Sequence, residues 1–120
     1  MQLNQLPTPD YNFSPILLDK TIPGCPLPAL KQTDDYVQSG LYAWYDADTE
    51  EVLYIGKALK MRNRLQQHWY GKGGTSMVEL MLDAEIVPMV AVWLCPADQR
   101  AGLERKMLDI DMPMYNRRKD

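Results

Sequence analysis

Two short runs rich in aromatic and β-branched residues stand close together near the middle of the chain. They are GLYAWYD at 40–46 and EEVLYIG at 50–56, with Ala, Asp and Thr between them. Such runs, bounded by residues that favour turns, are typical of a β-hairpin. A three-residue loop at 47–49 pairs Tyr42 with Tyr54 across the hairpin. We therefore predict two tyrosines opposite each other on one face, either as a stabilising aromatic pair or as part of a site.

Helical spacing follows the second run. Apolar residues recur at intervals of three and four positions, which is typical of the buried stripe of a helix, at Ala58, Met61, Leu65 and Trp69. We predict one helix from Lys57 or Ala58 to Trp69, a second from about Thr75 to Asp83, and a third from about Ala97 to Asp111. A buried strand is predicted at 85–96. The predicted fold is α/β of the α+β kind, with a small, mainly antiparallel three-stranded sheet flanked by three helices.

The first 39 residues differ from the rest of the chain. Six of the nine prolines lie within the first 28 positions, and this density excludes a long helix or a central strand. Apolar residues nevertheless recur there, including Ile16, Leu17, Leu18 and Ile22. We predict an N-terminal arm at 1–39, with a helical turn near Leu30, that packs on the domain at 40–120 or on a partner.

Charge is unevenly distributed along the chain. The formal net charge is -3, yet residues 57–72 contain five basic side chains and no acidic one. This segment is either a solvated helix face or a surface that attracts a phosphate chain within a Debye length of about 10 Å. The acidic pI of about 5.1 argues against broad coating of nucleic acid. The candidate contacts to nucleic acid are Lys57, Lys60, Arg62, Arg64 and Lys72.

Several features argue against a membrane or secreted protein. The longest apolar run, at 86–96, is about half of the ~20 residues that span a bilayer. The N-terminus lacks the basic start and apolar core of a signal peptide. Cys25 and Cys95 stand far apart without a CxxC pair or a Cys/His cluster, which indicates free thiols and argues against zinc. We expect a cytoplasmic protein.

Two polar residues stand beside apolar helical positions. Arg64 and His68 are four residues apart, so their side chains can converge on one helix face. His68 is therefore either a structural histidine or a functional one. Glu104 has mostly apolar helical neighbours and is either the ion-pair partner of Arg100 or a metal ligand.

Two tripeptides and four single residues stand at defined spacings between 40 and 116. Gly40-Leu41-Tyr42 is followed after eleven residues by Tyr54-Ile55-Gly56. Arg64 stands ten positions after Tyr54, and His68 stands four positions after Arg64. Asn116 stands twelve positions after Glu104 and is the last residue of a Pro-x-Tyr-Asn sequence. This pattern resembles the signature of the GIY-YIG nuclease family. The spacing is most similar to that of the nuclease module of the bacterial excision-repair incision enzyme.

The resemblance implies a DNA endonuclease that hydrolyses phosphodiester bonds with one metal ion. Glu104 would hold Mg²⁺ or Mn²⁺, which would stabilise the leaving 3′ oxygen. Tyr42 would orient or deprotonate the attacking water, with Lys57 nearby to lower the proton affinity of the site.

The remaining roles implied by the resemblance concern the phosphate. Tyr54 and His68 would hydrogen-bond the scissile phosphate or help to move the proton, and Arg64 would hold its non-bridging oxygens. Asn116 would position the final turn around the site. A second class of function stays open at this point, namely a nucleic-acid-binding or partner-docking module whose cleavage is weak or activated only in a complex. Such a partner, or a second copy of the chain, would contact the N-terminal arm.

Overall fold

The computed structural model describes residues 1–27, 39–72 and 74–116. The helical turn predicted near Leu30 lies outside these residues. Within them, the fold is α+β, as predicted: an antiparallel sheet carries helices on both faces. None of the described helices is long and apolar enough to cross a bilayer.

The sheet has four strands in the described part of the chain, in the order β1-β4-β2-β3. They are β1 (Tyr11–Phe13), β2 (Gly40–Asp46), β3 (Val52–Ala58) and β4 (Pro88–Leu94). The prediction of three strands was wrong because the N-terminal arm contributes β1, which pairs antiparallel with β4. The prolines that flank β1 are tolerated since an edge strand leaves one side of its backbone unpaired.

Three α-helices are present in the described residues, as predicted: α1 (Met61–Trp69), α2 (Thr75–Leu82) and α3 (Arg100–Ile110). Short 3₁₀ turns cover Leu3–Gln5, Pro15–Leu18, Ala97–Gln99 and Met114–Asn116. Helix α1 begins later than predicted because β3 continues through Ala58, whose backbone pairs with Gly40. Lys57 is consequently a strand residue that pairs with Leu41, and its side chain projects from the sheet.

The register of the β2–β3 hairpin differs from the prediction by two residues. Tyr42 lies opposite Gly56, and Trp44 lies opposite Tyr54. The connection extends beyond the predicted three residues, with Glu50 at φ 59°, and an irregularity follows Trp44. A slip of two residues keeps each side chain on its original face, since side chains alternate with a period of two. Tyr42 and Tyr54 therefore still share a face, with ring centroids 6.2 Å apart.

The core lies on both faces of the central strand β2. Tyr42 and Trp44 pack on one face with Leu65 of α1 and with Phe13 and Leu18 of the arm. The intervening residues of β2 pack on the opposite face with Met107 of α3, and they are Leu41, Ala43 and Tyr45. Helices α1 and α3 therefore pack on opposite faces of the sheet, and both contact β3.

The N-terminal arm contacts the rest of the described chain at several points besides β1. The indole Nε1 of Trp93 donates to the carbonyl oxygen of Pro7 at 3.0 Å, and Nε2 of Gln66 donates to that of Leu18 at 2.8 Å. Leu18 is fully buried. The division into an arm at 1–39 and a domain at 40–120 stays a prediction, as does a partner for the arm.

Candidate active site

A buried tyrosine–histidine pair lies between the sheet and α1. Tyr42 projects from β2 toward α1, and its hydroxyl oxygen lies 2.5 Å from Nε2 of His68. His68 is fully buried and Tyr42 almost so. The ring of Tyr54 lies 6.1 Å from that of His68, centroid to centroid, and Trp44 meets the imidazole edge-on at 6.5 Å. The pair is therefore largely surrounded by aromatic side chains.

Gly56 provides the space for the Tyr42 hydroxyl. An ideal Cβ at this position would lie 2.4 Å from the hydroxyl oxygen of Tyr42 and 2.5 Å from its Cζ. Gly40 has a different neighbour, since a Cβ there would lie 2.0 Å from the backbone oxygen of Trp93 on β4. The two glycines of the hairpin thus permit two close approaches: one between strand backbones and one between a strand and a tyrosine ring.

Burial raises the pKa of Tyr42 well above its usual value, and the neighbouring Tyr54 adds to this effect. Arg64 acts in the opposite direction through its charge and through a hydrogen bond to Tyr42, while the charge of Glu104 raises the pKa further. The hydroxyl is therefore protonated at neutral pH. Arg64 of α1 and Glu104 of α3 thus both act on the charge of the same hydroxyl.

Glu104 forms an ion pair with Lys57. Its Oε1 lies 3.5 Å from Nζ of Lys57, and its side chain is 22% exposed. The alternative partner predicted from the sequence, Arg100, instead donates through Nε to the carbonyl oxygen of Ala97 at 3.2 Å. The predicted Arg100 pairing was wrong because β3 continues far enough to bring Lys57 against α3. Glu104 therefore lies at the junction of the strand and the helix.

A groove of about 380 Å³ runs along this junction. We call it the basic groove; its described lining contains no acidic residue and consists of Lys57, Ala58, Leu59, Lys60, Asn63, Arg64, Gln67 and Arg100. Nη1 of Arg64 donates to Oε1 of Gln67 at 3.2 Å, which orients the guanidinium within the groove. Four cationic side chains at one concavity provide a favourable environment for a phosphate group.

The five predicted contacts to nucleic acid do not lie on one surface. Lys57, Lys60 and Arg64 line the basic groove, whereas Arg62 points to the arm and donates through Nη1 to the carbonyl oxygen of Leu27 at 3.3 Å. Lys72 lines a neighbouring cleft. The five residues are therefore close in sequence but less closely grouped in space, because successive residues of a helix project in different directions.

Sequence reasoning missed three polar residues of the basic groove. Asn63 and Gln67 lie within one turn of Arg64, so their helical spacing was an available signal. Arg100 lies one turn before Glu104 on α3 and was considered only as a partner of that carboxylate. Its position in the groove depends on how α3 packs against the sheet, which the local pattern does not contain.

Asn116 binds the backbone of β3 rather than a side chain of the site. Its Oδ1 accepts from the Ile55 N–H at 2.7 Å, and its Nδ2 donates to the Ile55 carbonyl oxygen at 2.8 Å. These two bonds reproduce the pairing that a further strand would provide at this edge. Because Ile55 lies between Tyr54 and Gly56, Asn116 holds the part of β3 that surrounds the Tyr42 hydroxyl.

Glu104 is suited to a hydrated hard cation. In the described part of the chain, no group of three or more His, Cys, Asp or Glu side chains could hold a metal ion. Zinc, which takes three or four protein ligands, does not fit this donor set. Magnesium is commonly held by one or two carboxylates together with water and substrate phosphate oxygens, and a single carboxylate beside a phosphate-binding groove fits that pattern.

Comparison with known proteins gives the family. The UvrC-like GIY-YIG domain matches residues 38–117, so the chain belongs to the GIY-YIG nuclease family and to its UvrC-like group. The chain is also similar to the UvrABC system protein C of Mycoplasmopsis agalactiae, with 32% identity over 88 residues. That match covers 72% of this chain and 15% of the relative. The chain thus spans a small part of the length of that relative.

Proposed function

We propose that this chain is a divalent-metal-dependent endonuclease that hydrolyses phosphodiester bonds in DNA. The observation that carries the proposal is the buried Tyr42–His68 pair, which Arg64 connects to the basic groove beside Glu104. Membership of the GIY-YIG nuclease family supports the same reaction. The free thiols of Cys25 and Cys95 support a reducing, cytoplasmic location.

The basic groove neutralises the phosphate. Arg64 presents a planar guanidinium that donates to two non-bridging oxygens of the phosphate at once. Lys60 and Arg100 add positive charge along the bound DNA strand. Tyr54 lies beside Tyr42 and donates a further hydrogen bond to the phosphate. This stabilisation needs no basic surface elsewhere on the protein because it acts where the charge of the pentavalent phosphorus develops.

The Tyr42–His68 pair moves the proton of the attacking water. A guanidinium can only donate, so the Tyr42 hydroxyl oxygen accepts from Arg64. In the mechanism that we propose, Nε2 of His68 is unprotonated and accepts the hydroxyl proton of Tyr42. When the water attacks, its proton passes to the Tyr42 oxygen as the hydroxyl proton passes to His68. The raised pKa of Tyr42 makes this concerted transfer necessary, because a free tyrosinate does not form near neutral pH.

Glu104 is the residue that would hold one Mg²⁺ or Mn²⁺. Bound there, the ion would supply positive charge to stabilise the leaving 3′ oxygen. Lys57 neutralises the carboxylate at 3.5 Å, is half-exposed and also lines the basic groove. In that position Lys57 lowers the proton affinity of the site around Tyr42.

The test of this proposal is the substitution Glu104→Gln, which keeps the size of the side chain and removes its charge. The rate of metal-dependent nicking of supercoiled plasmid should fall on the order of a thousandfold, as expected for the loss of several kcal/mol of transition-state stabilisation. Binding of duplex DNA in EDTA should stay the same or tighten slightly, since one negative charge has left a phosphate-binding surface.

Asp109→Asn is the matched control, because it makes the same carboxylate-to-amide change at an exposed position of α3. It should leave the nicking rate unchanged. A folded, DNA-binding Glu104→Gln protein that nicks at the wild-type rate would contradict the one-metal mechanism.

The alternative function is binding of nucleic acid or of a partner, with cleavage weak or activated in a complex. The Lys57–Glu104 ion pair favours this alternative, since Lys57 already neutralises the carboxylate that would otherwise hold the metal ion. Purified wild-type protein that binds DNA and does not nick plasmid with Mg²⁺ or Mn²⁺ would support this alternative.

A further inference from the structure

A second cleft adjoins the basic groove at the end of α1. We call it the flanking cleft; its volume is about 200 Å³, and it is lined by Lys20, Asn63, Gln66, Gln67, Tyr70 and Lys72. Asn63 and Gln67 also line the basic groove, so the two depressions are adjacent. The flanking cleft therefore lies next to the place where a phosphate would bind in the basic groove.

The two sites are close to each other along α1. Tyr70 follows Arg64 by six residues, which is about 9 Å along a helix axis at 1.5 Å per residue. The flanking cleft is thus a near neighbour of the phosphate that Arg64 would bind.

The lining of the flanking cleft provides three kinds of contact to a nucleotide. Tyr70 is 53% exposed and offers an aromatic face on which a base can stack. Lys20 and Lys72 provide positive charge for the phosphates on either side. The amide side chains of Asn63 and Gln67 can hydrogen-bond base edges. None of the described lining residues is acidic.

Backbone hydrogen bonds hold this cleft in shape without a ligand. The N–H of Lys72 donates to the carbonyl oxygen of Gln67 at 2.7 Å, and Gly71 at φ 77° allows the chain to turn back over the helix end. On the other side, Asp19 accepts from both the N–H and the hydroxyl of Thr21, at 2.9 and 2.8 Å, which fixes the turn that carries Lys20. The N-terminal arm therefore supplies one wall of the cleft.

We infer that the flanking cleft binds an unpaired nucleotide, so that the preferred DNA substrate has a single-stranded segment next to the cleaved phosphate. A base inside a duplex is stacked on both faces and cannot offer one to Tyr70, whereas an unpaired base can. This inference rests on the proposed endonuclease function and names the substrate class of the same site.

The experiment compares the affinity of the full chain in EDTA for two DNAs of equal nucleotide number: a blunt duplex and a duplex with a single-stranded tail, with tails of both polarities. Wild type should bind one tailed DNA more tightly. Tyr70→Ala should weaken binding of that DNA by about fivefold to a hundredfold and leave the blunt duplex unaffected, because stacking on one aromatic ring has this magnitude. Tyr70→Trp should retain the preference.

Two further measurements separate stacking from charge. The fluorescence of 2-aminopurine, placed in the tail near the junction, should be quenched by wild type and by Tyr70→Trp but not by Tyr70→Ala. Lys20→Ala should weaken binding of the tailed DNA, whereas Lys106→Ala, an exposed lysine of a separate pocket, should not.

The inference is overturned if wild type binds blunt and tailed DNA equally, if it binds neither, or if Tyr70→Ala keeps the preference and the quenching. The proposed function is decided separately by the Glu104-dependent nicking of plasmid. A protein that nicks plasmid and shows no preference for a tail would remain an endonuclease and would lack the nucleotide subsite.

Discussion

The substitution Gly56→Ala should damage both stability and nicking through a single contact. The added methyl group would lie 2.4 Å from the hydroxyl oxygen and 2.5 Å from Cζ of Tyr42. Favourable contacts between heavy atoms lie at about 3.5–4.0 Å, so the ring has to move by about 1 Å or more. That movement breaks the 2.5 Å contact between Tyr42 and His68.

The magnitude follows from these two effects. Extra volume in a well-packed core costs about 1–3 kcal/mol. A buried polar group that loses its hydrogen-bond partner costs about 1–3 kcal/mol more. The free energy of unfolding should therefore fall by a few kcal/mol, which is a large part of the roughly 5–15 kcal/mol of an ordinary domain. Nicking should slow about a hundredfold or more, which is the usual contribution of a positioned proton-transfer group.

Urea denaturation and plasmid nicking measure the two effects. Gly102→Ala is the control for the chemical change, since no described heavy atom lies within 4 Å of its added methyl group. It should stabilise α3 by about 0.5–1 kcal/mol. In a Tyr42→Leu background, which lacks the ring atoms that clash, Gly56→Ala should cost less than in wild type, and a double-mutant cycle measures this coupling. A Gly56→Ala protein with wild-type stability and nicking rate would refute the reasoning.

Three further predictions concern pH, the last turn and salt. Burial raises the pKa of Tyr42 above 10.0, so above about pH 10 the folded chain keeps a proton that the unfolded chain loses. The free energy of unfolding should therefore fall as pH rises further, by up to about 1.4 kcal/mol per pH unit for this group. In urea titrations, Tyr42→Phe should make this fall shallower. Asn116→Ala removes two hydrogen bonds to Ile55 and should lower the free energy of unfolding by about 1–3 kcal/mol. Asn116→Asp should have an intermediate effect because it keeps only the acceptor. An unchanged urea midpoint would count against a stabilising role of Asn116 at the edge of β3. Lys60→Glu should weaken DNA binding at low salt and reduce its salt dependence by roughly one released counterion or more. The control Lys106→Glu should have neither effect. Equal effects of the two changes would show that the basic groove is not the binding surface.

The amino-acid sequence by itself determined the class of fold and most of the local elements, although not strand β1. Alternation in the hairpin placed Tyr42 and Tyr54 on one face. This prediction was correct although the predicted register differed by two residues, because side-chain direction repeats every two residues. The spacing of Met61 and Leu65 correctly indicated the buried side of α1. Such periodicities are local properties of the chain, so they are visible without knowledge of what packs against them.

Only the tertiary structure decided which of these residues meet. The register that sets Gly56 opposite Tyr42 depends on the irregularity after Trp44 and on Glu50 at positive φ. The partner of Glu104 depends on how far β3 continues before α1 begins. The added strand β1 depends on the edge that β4 offers. Each is a contact between residues far apart in the chain, and its energy comes from burial and hydrogen bonds that form only when the elements assemble, so no local pattern records it.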